Sequence, residues 1–427
     1  MKVLIVGGGG REHAIALKIK ENPEVTALYA APGNGGIAQI ATCLPFKATD
    51  VDGIVRWAAE NKVDFVIVAP DDPLCLGMVD ALAAQGIPAF GPRKNAAIIE
   101  GSKVFSKNLM KKYGIPTAAY ETFDDYDAAV KYLHTADMPI VVKADGLALG
   151  KGVLICPDRE SAVEAVASMM KEAKFGASGA RVVIEEFLTG PEVSVLAFTD
   201  GKTVKPMVSS MDHKRALDND EGLNTGGMGT IAPNPCYTPE LAQRCMDEIF
   251  LPTIAAMNAE GRTFTGCLYF GLMMTPKGPK VIEYNCRFGD PETQVVLPLL
   301  KSDLLTIMRA TVDGTLADTP VEFASGAACC VVLASGGYPV SYKSGYPISG
   351  LDEAGKTATV FHAGTKLVDG QIVTAGGRVL GVTATADTLE AAIDKAYQAA
   401  DKITFTDMHM RRDIGQRALA SRKESHS

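Results

Sequence analysis

The segment KVIEYNCRFGDPE spaces three polar side chains at alternating positions. In an extended strand this spacing puts Glu283, Asn285 and Arg287 on one face. A carboxylate and an amide oxygen suit a hard cation such as Mg²⁺, which takes few protein ligands and adds phosphate oxygens. Arg287 is then placed to reach a phosphoryl or carboxylate oxygen. Because burying such groups without a use is costly, the pattern favours a metal and phosphate site.

A glycine-rich segment, VVKADGLALGKGV, carries Lys143 and Lys151 among Gly146, Gly150 and Gly152. It is not a Walker A loop, because a glycine follows the second lysine and the segment lies between two predicted strands rather than before a helix. Glycines and lysines can still close over a nucleotide triphosphate, supplying backbone N–H groups and positive charge. The alternative is a plain hairpin with a solvated lysine.

Two further segments have the composition of binding elements. VVIEEFLTGPEVSV ends a predicted strand in acids before a Gly-Pro turn, an arrangement that can hold a purine edge and a ribose; acids at strand ends are also commonly just solvated. SSMDHKRALDNDEGLNTGGMGTIAPNP is long and polar, which is typical of a functional loop. It includes His213, to which we assign no role.

The opening segment IVGGGGREH resembles the phosphate loop of a dinucleotide-binding domain, but the register fails. Counting from Gly7 or Gly8, the third glycine position holds Glu12 or His13, and the next predicted strand ends without an acid. This disfavours a dehydrogenase. What remains is a backbone cradle for an anion, or a tight turn that binds nothing.

These segments must be positioned by more than one domain. Strands and helices alternate over the first ninety residues or so, which predicts a parallel sheet whose carboxyl ends carry GGGGRE, APGNGGI and APDDPL. Beyond about Ile98 a basic helix ends at Gly114, and paired strands follow, including a hairpin that turns at Pro276–Pro279. From about Phe323, short β-branched runs predict a β-rich domain with one helix.

Length and composition agree with a chain of several domains. The 427 residues suggest about three domains, and a net charge of −8 without a basic run argues against nucleic-acid binding. We found no apolar stretch long enough to span a bilayer and no signal peptide. Nine cysteines without a C-x-x-C pair predict reduced thiols and a cytoplasmic protein.

Taken together, the chain resembles the ATP-grasp superfamily and, within it, the glycinamide ribonucleotide synthetase (phosphoribosylamine–glycine ligase) family. The matching segments follow the family's order along nearly the whole chain: GGGGREHA, APGNGG, EGSKVFSK, KADGLALGKGV, EEFLTGPEVSV, DHKRALDNDEGLNTGGMG and EYNCRFGDPETQ. The implied fold class is α/β and α+β multidomain. It comprises an N-terminal doubly wound α/β domain (1–100), an ATP-grasp domain (101–322, with a lid at about 120–190) and a C-terminal β-rich domain (323–427).

The resemblance also implies roles for individual residues. ATP would be bound by Lys107, Lys143, Gly150, Lys151, Glu185, Glu186, Phe187, Leu188 and Glu192. Glu283 and Asn285 match the metal ligands for Mg²⁺ or Mn²⁺, and Arg287 and Lys214 would act in catalysis. Glycine and phosphoribosylamine would meet Gly9, Gly10, Glu12, Asn34, Gly35, Asp71, Asp212, Asn224, Gly226 and Gly227.

Two segments depart from the family pattern. The strand LYFGLMM lacks the acidic metal ligand that many ATP-grasp enzymes carry before this hairpin, and APDDPL has Asp71 where the family usually has glutamate. The implied product is glycinamide ribonucleotide, made with ATP through a glycyl phosphate by a monomer or weak homo-oligomer that binds neither nucleic acid nor membrane. Three alternatives stay open: another ATP-grasp ligase, a dehydrogenase, and a non-catalytic nucleotide-binding module.

Overall fold

The structure, a computed structural model, describes residues 1–148 and 151–424. Its first part is a five-stranded parallel sheet of order β3-β2-β1-β4-β5. Its strands are β1 Lys2–Gly7, β2 Ala27–Pro32, β3 Thr42–Cys43, β4 Phe65–Val68 and β5 Ala89–Phe90, and its helices are α1 Gly10–Lys20, α2 Val51–Glu60, α3 Asp71–Cys75 and α4 Met78–Ala84. The central strands are buried on both faces, as apolar runs in parallel sheets require.

Two helices lead out of this sheet, where the sequence predicted one basic helix. They are α5 Lys94–Gly101 and α6 Lys103–Tyr113. The break falls at Ser102, whose hydroxyl accepts a hydrogen bond from the backbone N–H of Phe105 at 3.1 Å and caps the second helix. Gly114 ends that helix as predicted, in the left-handed conformation with φ +68°.

A second, antiparallel sheet of order β6-β9-β7-β8 forms a separate layer with its own small core. Its elements are β6 Tyr120–Phe123, α7 Tyr126–Leu133, β7 Ile140–Ala144, β8 Val153–Cys156, α8 Arg159–Met170 and β9 Val182–Glu186. The predicted glycine-rich connection joins β7 to β8, and its residues 149 and 150, with the candidate Gly150, lie outside the described residues.

The following segment supplies a third sheet, of order β11-β10-β16-β17, and part of a fourth. Its elements are β10 Glu192–Thr199, β11 Val204–Pro206, β12 Met211–Asp212, β13 Arg215–Leu217, β14 Glu221–Asn224, β15 Gly229–Ala232, α9 Pro239–Cys245, α10 Leu251–Ala259, β16 Gly266–Thr275, β17 Gly278–Asn285, α11 Thr293–Val296 and α12 Leu304–Asp313. Strands β16 and β17 form the predicted hairpin.

The last part contains the fourth sheet, of order β12-β15-β18-β22-β19. Its elements are β18 Ala327–Ala334, α13 Leu351–Gly355, β19 Thr359–His362, β20 Thr365–Val368, β21 Gln371–Thr374, β22 Arg378–Ala386, α14 Leu389–Ala400 and α15 Gln416–Glu424. The long polar segment of the sequence, residues 209–235, contains β12 and β15. These two strands pair into the C-terminal sheet, so the segment does not form a free loop.

The cores join the sheets to one another. One apolar cluster runs from a face of the N-terminal sheet to the β10–β16 sheet, and another joins the opposite face to α12 and β18. All nine cysteines are free, six of them buried. In the described part of the chain, no helix has the length and apolarity needed to cross a membrane.

Candidate active site

A cleft of about 440 Å³ lies where the sheets converge. Among its lining residues are nine of the predicted site residues: Asp71, Lys107, Lys143, Lys151, Lys214, Gly226, Glu283, Asn285 and Arg287. A larger depression of about 710 Å³ lies against α1 and β22, is open to solvent and contains none of them. The cleft is therefore the candidate active site.

One end of the cleft holds two lysines on a single buried carboxylate. Lys107 Nζ lies 2.8 Å from Glu185, and Lys143 also pairs with Glu185. Lys143 donates to the carbonyl of Ile282 at 3.2 Å as well. Burial lowers the pKa of Lys107 to about 8 although the charge of Glu185 opposes it. Burial alone would raise the pKa of Glu185, but the two lysines outweigh it and hold that pKa below the ordinary value. The group carries a net positive charge and suits a phosphate chain.

The predicted adenine hinge follows this cluster where β9 leaves its sheet. The N–H of Glu186 donates to the carbonyl of Ala119 at 2.9 Å, and its carboxylate accepts from the N–H of Ala119 at 3.2 Å. Phe187 and Leu188 are half-buried and Glu192 is exposed at the start of β10. Within the described residues, none of these four lines the cleft, so their contact with adenine stays a prediction.

The hairpin β16–β17 brings the predicted metal ligands to the cleft floor. Glu283 lies opposite Gly271 and Asn285 opposite Tyr269. Burial alone would raise the pKa of Glu283, but nearby cationic side chains, first Lys214, outweigh it and hold that pKa below the ordinary value. An ionised carboxylate beside an amide oxygen is a donor set that fits a hard divalent cation.

Arg287 follows β17 and is fixed by acids from the N-terminal part. Its Nη2 donates to Glu100 at 2.8 Å and to the Asn285 amide oxygen at 3.2 Å, and Asp71 lies 3.9 Å away. Burial raises the pKa of Glu100 to about 7, while the charge of Arg287 acts against that rise. Asp71 thus reaches the arginine despite its shorter side chain.

The N-terminal glycine loop satisfies most of its polar groups internally. Glu12, buried, accepts from the N–H of Gly9 at 2.8 Å and from Arg11 at 2.7 Å. Asn34 donates to the carbonyls of Gly8 at 3.0 Å and His362 at 2.8 Å. These contacts hold the loop rigid.

The anion position at the start of α1 is occupied by the protein itself. The N–H of Arg11 donates to Asp290 at 3.1 Å. An added Cβ at Gly10 would meet Gln294, and one at Gly35 would meet Thr365 and Ile372, so both glycines pack against protein. Of the described residues in this loop, Arg11 alone lines the cleft. Substrate contacts of Gly9, Gly10, Glu12, Asn34 and Gly35 stay a prediction that the geometry does not favour.

The segment between β12 and β15, which we call the acceptor loop, contributes Lys214 and Gly226. The N–H of Gly226 donates to the Tyr338 hydroxyl at 3.0 Å, and its carbonyl accepts from Arg378 at 2.9 Å. Gly227 donates to Thr225 at 3.0 Å, and Asn224 pairs with Arg215 in the hairpin β13–β14. Asp212 is buried beside Lys214.

His213, to which no role was assigned, is structural. It is buried, and its Nε2 accepts from the N–H of Gly415 at 3.1 Å while Nδ1 lies 3.1 Å from the carbonyl of Gly229. Burial lowers the pKa of His213 to about 4, so it is neutral at physiological pH.

Sequence reasoning missed several lining residues: Arg11, Glu100, Lys103, Asp290, Glu292, Tyr338 and Arg378. Most of them adjoin or lie within motifs that were recognised, such as GGGGRE and CRFGDPE. Tyr338 and Arg378 come from the C-terminal part, where no local motif marks them.

The chain is similar to known proteins along nearly its whole length. The phosphoribosylglycinamide synthetase family matches through its N domain (residues 1–100), its ATP-grasp (A) domain (101–293) and its C domain (328–417). The phosphoribosylamine–glycine ligase of Halalkalibacterium halodurans is 48% identical over 100% of this chain and 99% of that protein. That of Vibrio cholerae serotype O1 is 47% identical over 98% of this chain and 99% of that protein.

Solved structures show the same relationship. The phosphoribosylamine–glycine ligase of Thermotoga maritima superposes with a TM-score of 0.86 at 34% identity, covering 97% of this chain and 100% of that one. The biotin carboxylase domain of Hydrogenobacter thermophilus 2-oxoglutarate carboxylase, at 18% identity, covers 96% of this chain and 91% of that one and shares the fold, with a TM-score of 0.72. The predicted fold class is confirmed, and the chain belongs to the phosphoribosylglycinamide synthetase family.

Proposed function

We propose that this chain joins glycine to 5-phosphoribosylamine with ATP, giving glycinamide ribonucleotide, ADP and phosphate. The observation that carries the proposal is the convergence, in one cleft, of a lysine pair, an acid–amide pair, an arginine and an acceptor loop. The family assignment supports the same reaction. The free thiols are in keeping with a place in the cytoplasm.

The chemistry needs activation of a carboxylate, because oxide is a poor leaving group. A glycine carboxylate oxygen attacks the γ-phosphorus of ATP, the bond to ADP breaks, and glycyl phosphate forms. The amine of phosphoribosylamine then attacks the acyl carbon, phosphate leaves with both bonding electrons, and the amine loses a proton. No side-chain nucleophile is required, so the protein positions the reactants and balances their charge.

The lining residues suit these tasks. Lys107 and Lys143 would neutralise the phosphate chain, and Lys214 and Arg287 would hold the γ-phosphate and the carboxylate. Lys151 would cover the site from the lid, where water must be excluded from the acyl phosphate.

Glu283 and Asn285 would hold a divalent cation, Mg²⁺ or Mn²⁺, since both present oxygen donors to the cleft. When bound, such an ion neutralises negative charge on the phosphates.

The test is phosphate release from ATP with glycine and phosphoribosylamine added separately and together. Release with both, and not with either alone, is expected. Release supported by a different carboxylate and amine would indicate another ligase, and ATP binding without release a non-catalytic module.

Two lysines on α6, one inside the cleft and one outside it, provide a variant and its control for this test. Lys107 is buried in the cleft and Lys111 is exposed on the same helix. Lys107→Ala is expected to abolish release, and Lys111→Ala to leave it unchanged. Equal activity of both variants would remove Lys107 from the proposed ATP site.

A further inference from the structure

The larger depression, outside the cleft, lies at the junction of the N-terminal and C-terminal parts of the chain. It has a volume of about 710 Å³ and is lined by α1, the end of α13, β22 and one residue of α14. Buried Ala14, Phe361 and Ala384 line it, and half-buried Leu17 and Pro298 lie beside them. The centre of the depression is therefore apolar.

Lysines dominate the charged residues of this depression. Lys18 and Lys20 come from the last turn of α1, Lys356 follows α13, and Lys395 lies on α14. Among the described lining residues, Glu21 is the one carboxylate. Because the chain as a whole has a net charge of −8, this excess of positive charge is local. We call the region the basic depression.

Two of the four lysines are held by backbone carbonyls. Lys18 Nζ donates to the carbonyl of Leu300 at 2.9 Å and lies 3.5 Å from Glu21. Lys395 Nζ donates to the carbonyl of Thr385 at 3.1 Å. A carbonyl fixes the position of an ammonium group and leaves its charge uncompensated, so these groups can still attract an anion.

The other two lysines are more exposed. Lys356 pairs with Glu353 in a solvent-exposed ion pair, a kind of contact that is weak. Lys20 has no hydrogen-bond or ion-pair partner in the described part of the chain. A lysine at a helix C-terminus is favourable for the helix itself, but Lys395 lies in the middle of α14, where this reason does not apply.

Shape and charge together select one class of partner. The depression is open to solvent, whereas sites for small molecules bury most of the ligand surface. It is concave, so a flat bilayer would not reach its apolar centre. An apolar centre among charged residues is the anatomy of a protein interface, and the positive charge is complementary to an acidic partner.

We propose that the basic depression docks an acidic segment of another protein. An apolar side chain of that segment packs on Leu17 and Pro298, and flanking aspartate or glutamate side chains pair with the lysines. None of the residues assigned above to ATP, metal or substrate binding lines this region in the described part of the chain. Docking and catalysis can therefore be tested separately.

The test measures fluorescence anisotropy of a fluorescein-labelled peptide, EEDLFDEE, with the full-length chain at low salt. The wild type is expected to bind it, and Lys20→Glu combined with Lys395→Glu to weaken binding by about 10-fold or more. A peptide with serines in place of its leucine and phenylalanine is expected to bind more weakly to the wild type. Absence of binding to the wild type, or equal binding of the two peptides, would overturn the proposal.

A second double variant controls for overall charge. Lys111 and Lys366 are exposed and lie outside the basic depression, so Lys111→Glu combined with Lys366→Glu changes the net charge equally. This variant is expected to bind the peptide as the wild type does. Equal weakening in both double variants would show that the peptide responds to net charge alone, which contradicts a docking site.

Further measurements distinguish other occupants and locate the bound peptide. Hydrogen exchange at residues 355–359 is expected to slow when the peptide binds, and slowing confined to the cleft would overturn the assignment. Three other results would also overturn it if Lys20→Glu with Lys395→Glu abolished them: binding of inorganic triphosphate as tight as that of the peptide, binding to phosphatidylserine vesicles, or self-association in sedimentation. They would assign the region to a small anion, a lipid surface or a second copy of this chain.

Phosphate release separates this proposal from the proposed function. Release from ATP with glycine and phosphoribosylamine is expected to be unchanged in Lys20→Glu with Lys395→Glu, because neither lysine lines the cleft. Failure of the wild type to release phosphate would refute the proposed function and leave the peptide-binding result standing.

Discussion

Glu283 is a buried carboxylate of the cleft that several cationic side chains surround. It is surrounded by Lys214, Lys143, Lys103 and Arg287, whose charges keep it ionised despite burial. A carboxylate whose pKa lies below its ordinary value, on the cleft floor beside the amide of Asn285, suits a divalent cation better than a proton.

Replacing Glu283 and Asn285 together by alanine should abolish ATP-dependent turnover, because both oxygen donors are removed from the cleft floor. The fold should persist, since neither side chain belongs to an apolar core. Phosphate release measures the first effect and circular dichroism the second. Full activity of the double variant with Mg²⁺ would contradict the metal assignment.

Among the elements, the connection between β9 and β10 is tightly constrained by the backbone that it contacts. Both strands are predicted from the sequence, yet they join different sheets, so the segment between them crosses from the β6–β9 sheet to the β10–β16 sheet. Gly190 in this crossing has φ +142°, and a Cβ there would collide with the carbonyl oxygen of Met274. Only glycine fits without displacing that backbone.

Gly190→Ala should therefore destabilise the chain by about 1–3 kcal/mol and raise the KM for ATP, because the adjoining hinge must shift. Urea denaturation and initial-rate kinetics measure the two effects. Gly176→Ala is the matched control: Gly176 also has positive φ, at +56°, but nothing lies within 4 Å of its added Cβ. Equal behaviour of both variants would show that the collision is relieved at no cost.

The elements also show how far the sequence could predict this fold. The N-terminal parallel sheet and the β16–β17 hairpin were predictable because each strand is marked by its own apolar pattern and turn. That β12 and β15 join the C-terminal sheet was not, since strand pairing across a hundred residues leaves no local signal. Glu283 was predictable because the alternating pattern of its own strand marks it. Arg378 was not predictable, because it reaches the cleft only through strand pairing that is distant in sequence.

A pair of neutral histidines joins α1 to β19. The N–H of His362 donates to Nδ1 of His13 at 2.8 Å. Burial lowers the pKa of His13 to about 3 and that of His362 to about 4. In the unfolded chain each histidine binds a proton near pH 6.5, whereas in the folded chain it stays neutral until a lower pH. The two histidines therefore contribute their full stability to the fold above about pH 6.5, and this stability is lost as the pH falls below that value.

His13→Gln keeps a hydrogen-bond acceptor but cannot titrate. Between pH 7 and pH 5 its unfolding free energy should fall by roughly 2 kcal/mol less than that of the wild type. Urea denaturation at the two pH values measures the difference. A parallel decline in both proteins would show that His13 is already able to bind a proton in the folded chain.

At the scale of the whole molecule, the C-terminal part closes the cleft. Arg378 donates to the carbonyls of Gly226 and Asp290, each at 2.9 Å, and Lys151, in the connection between β7 and β8, donates to the carbonyl of Pro339 at 3.4 Å. The acceptor loop is thus held directly by the C-terminal part, which in the described part of the chain is hydrogen-bonded to the connection between β7 and β8 only through Lys151. Substrate binding at the two ends should respond differently to changes there.

Arg378→Ala should lower kcat/KM for glycine and phosphoribosylamine by about 10-fold or more, as two charge-assisted hydrogen bonds are lost, with ATP binding nearly unchanged. Nucleotide titration and initial-rate kinetics separate the effects. Arg412→Ala, an exposed arginine of the same part paired with Asp401, is the control. Loss of ATP affinity in Arg378→Ala would instead point to a general collapse of the cleft.

The central claim is that one cleft activates glycine by phosphorylating its carboxylate. The most direct measurement uses glycine labelled with ¹⁸O at both carboxyl oxygens, incubated with ATP, Mg²⁺, phosphoribosylamine and the full-length chain. Mass spectrometry of the products should find one ¹⁸O transferred to each phosphate released, and the other retained in the amide carbonyl of the product. Phosphate without ¹⁸O would contradict the account, because the oxygen of the glycine carboxylate would then never have bonded to phosphorus.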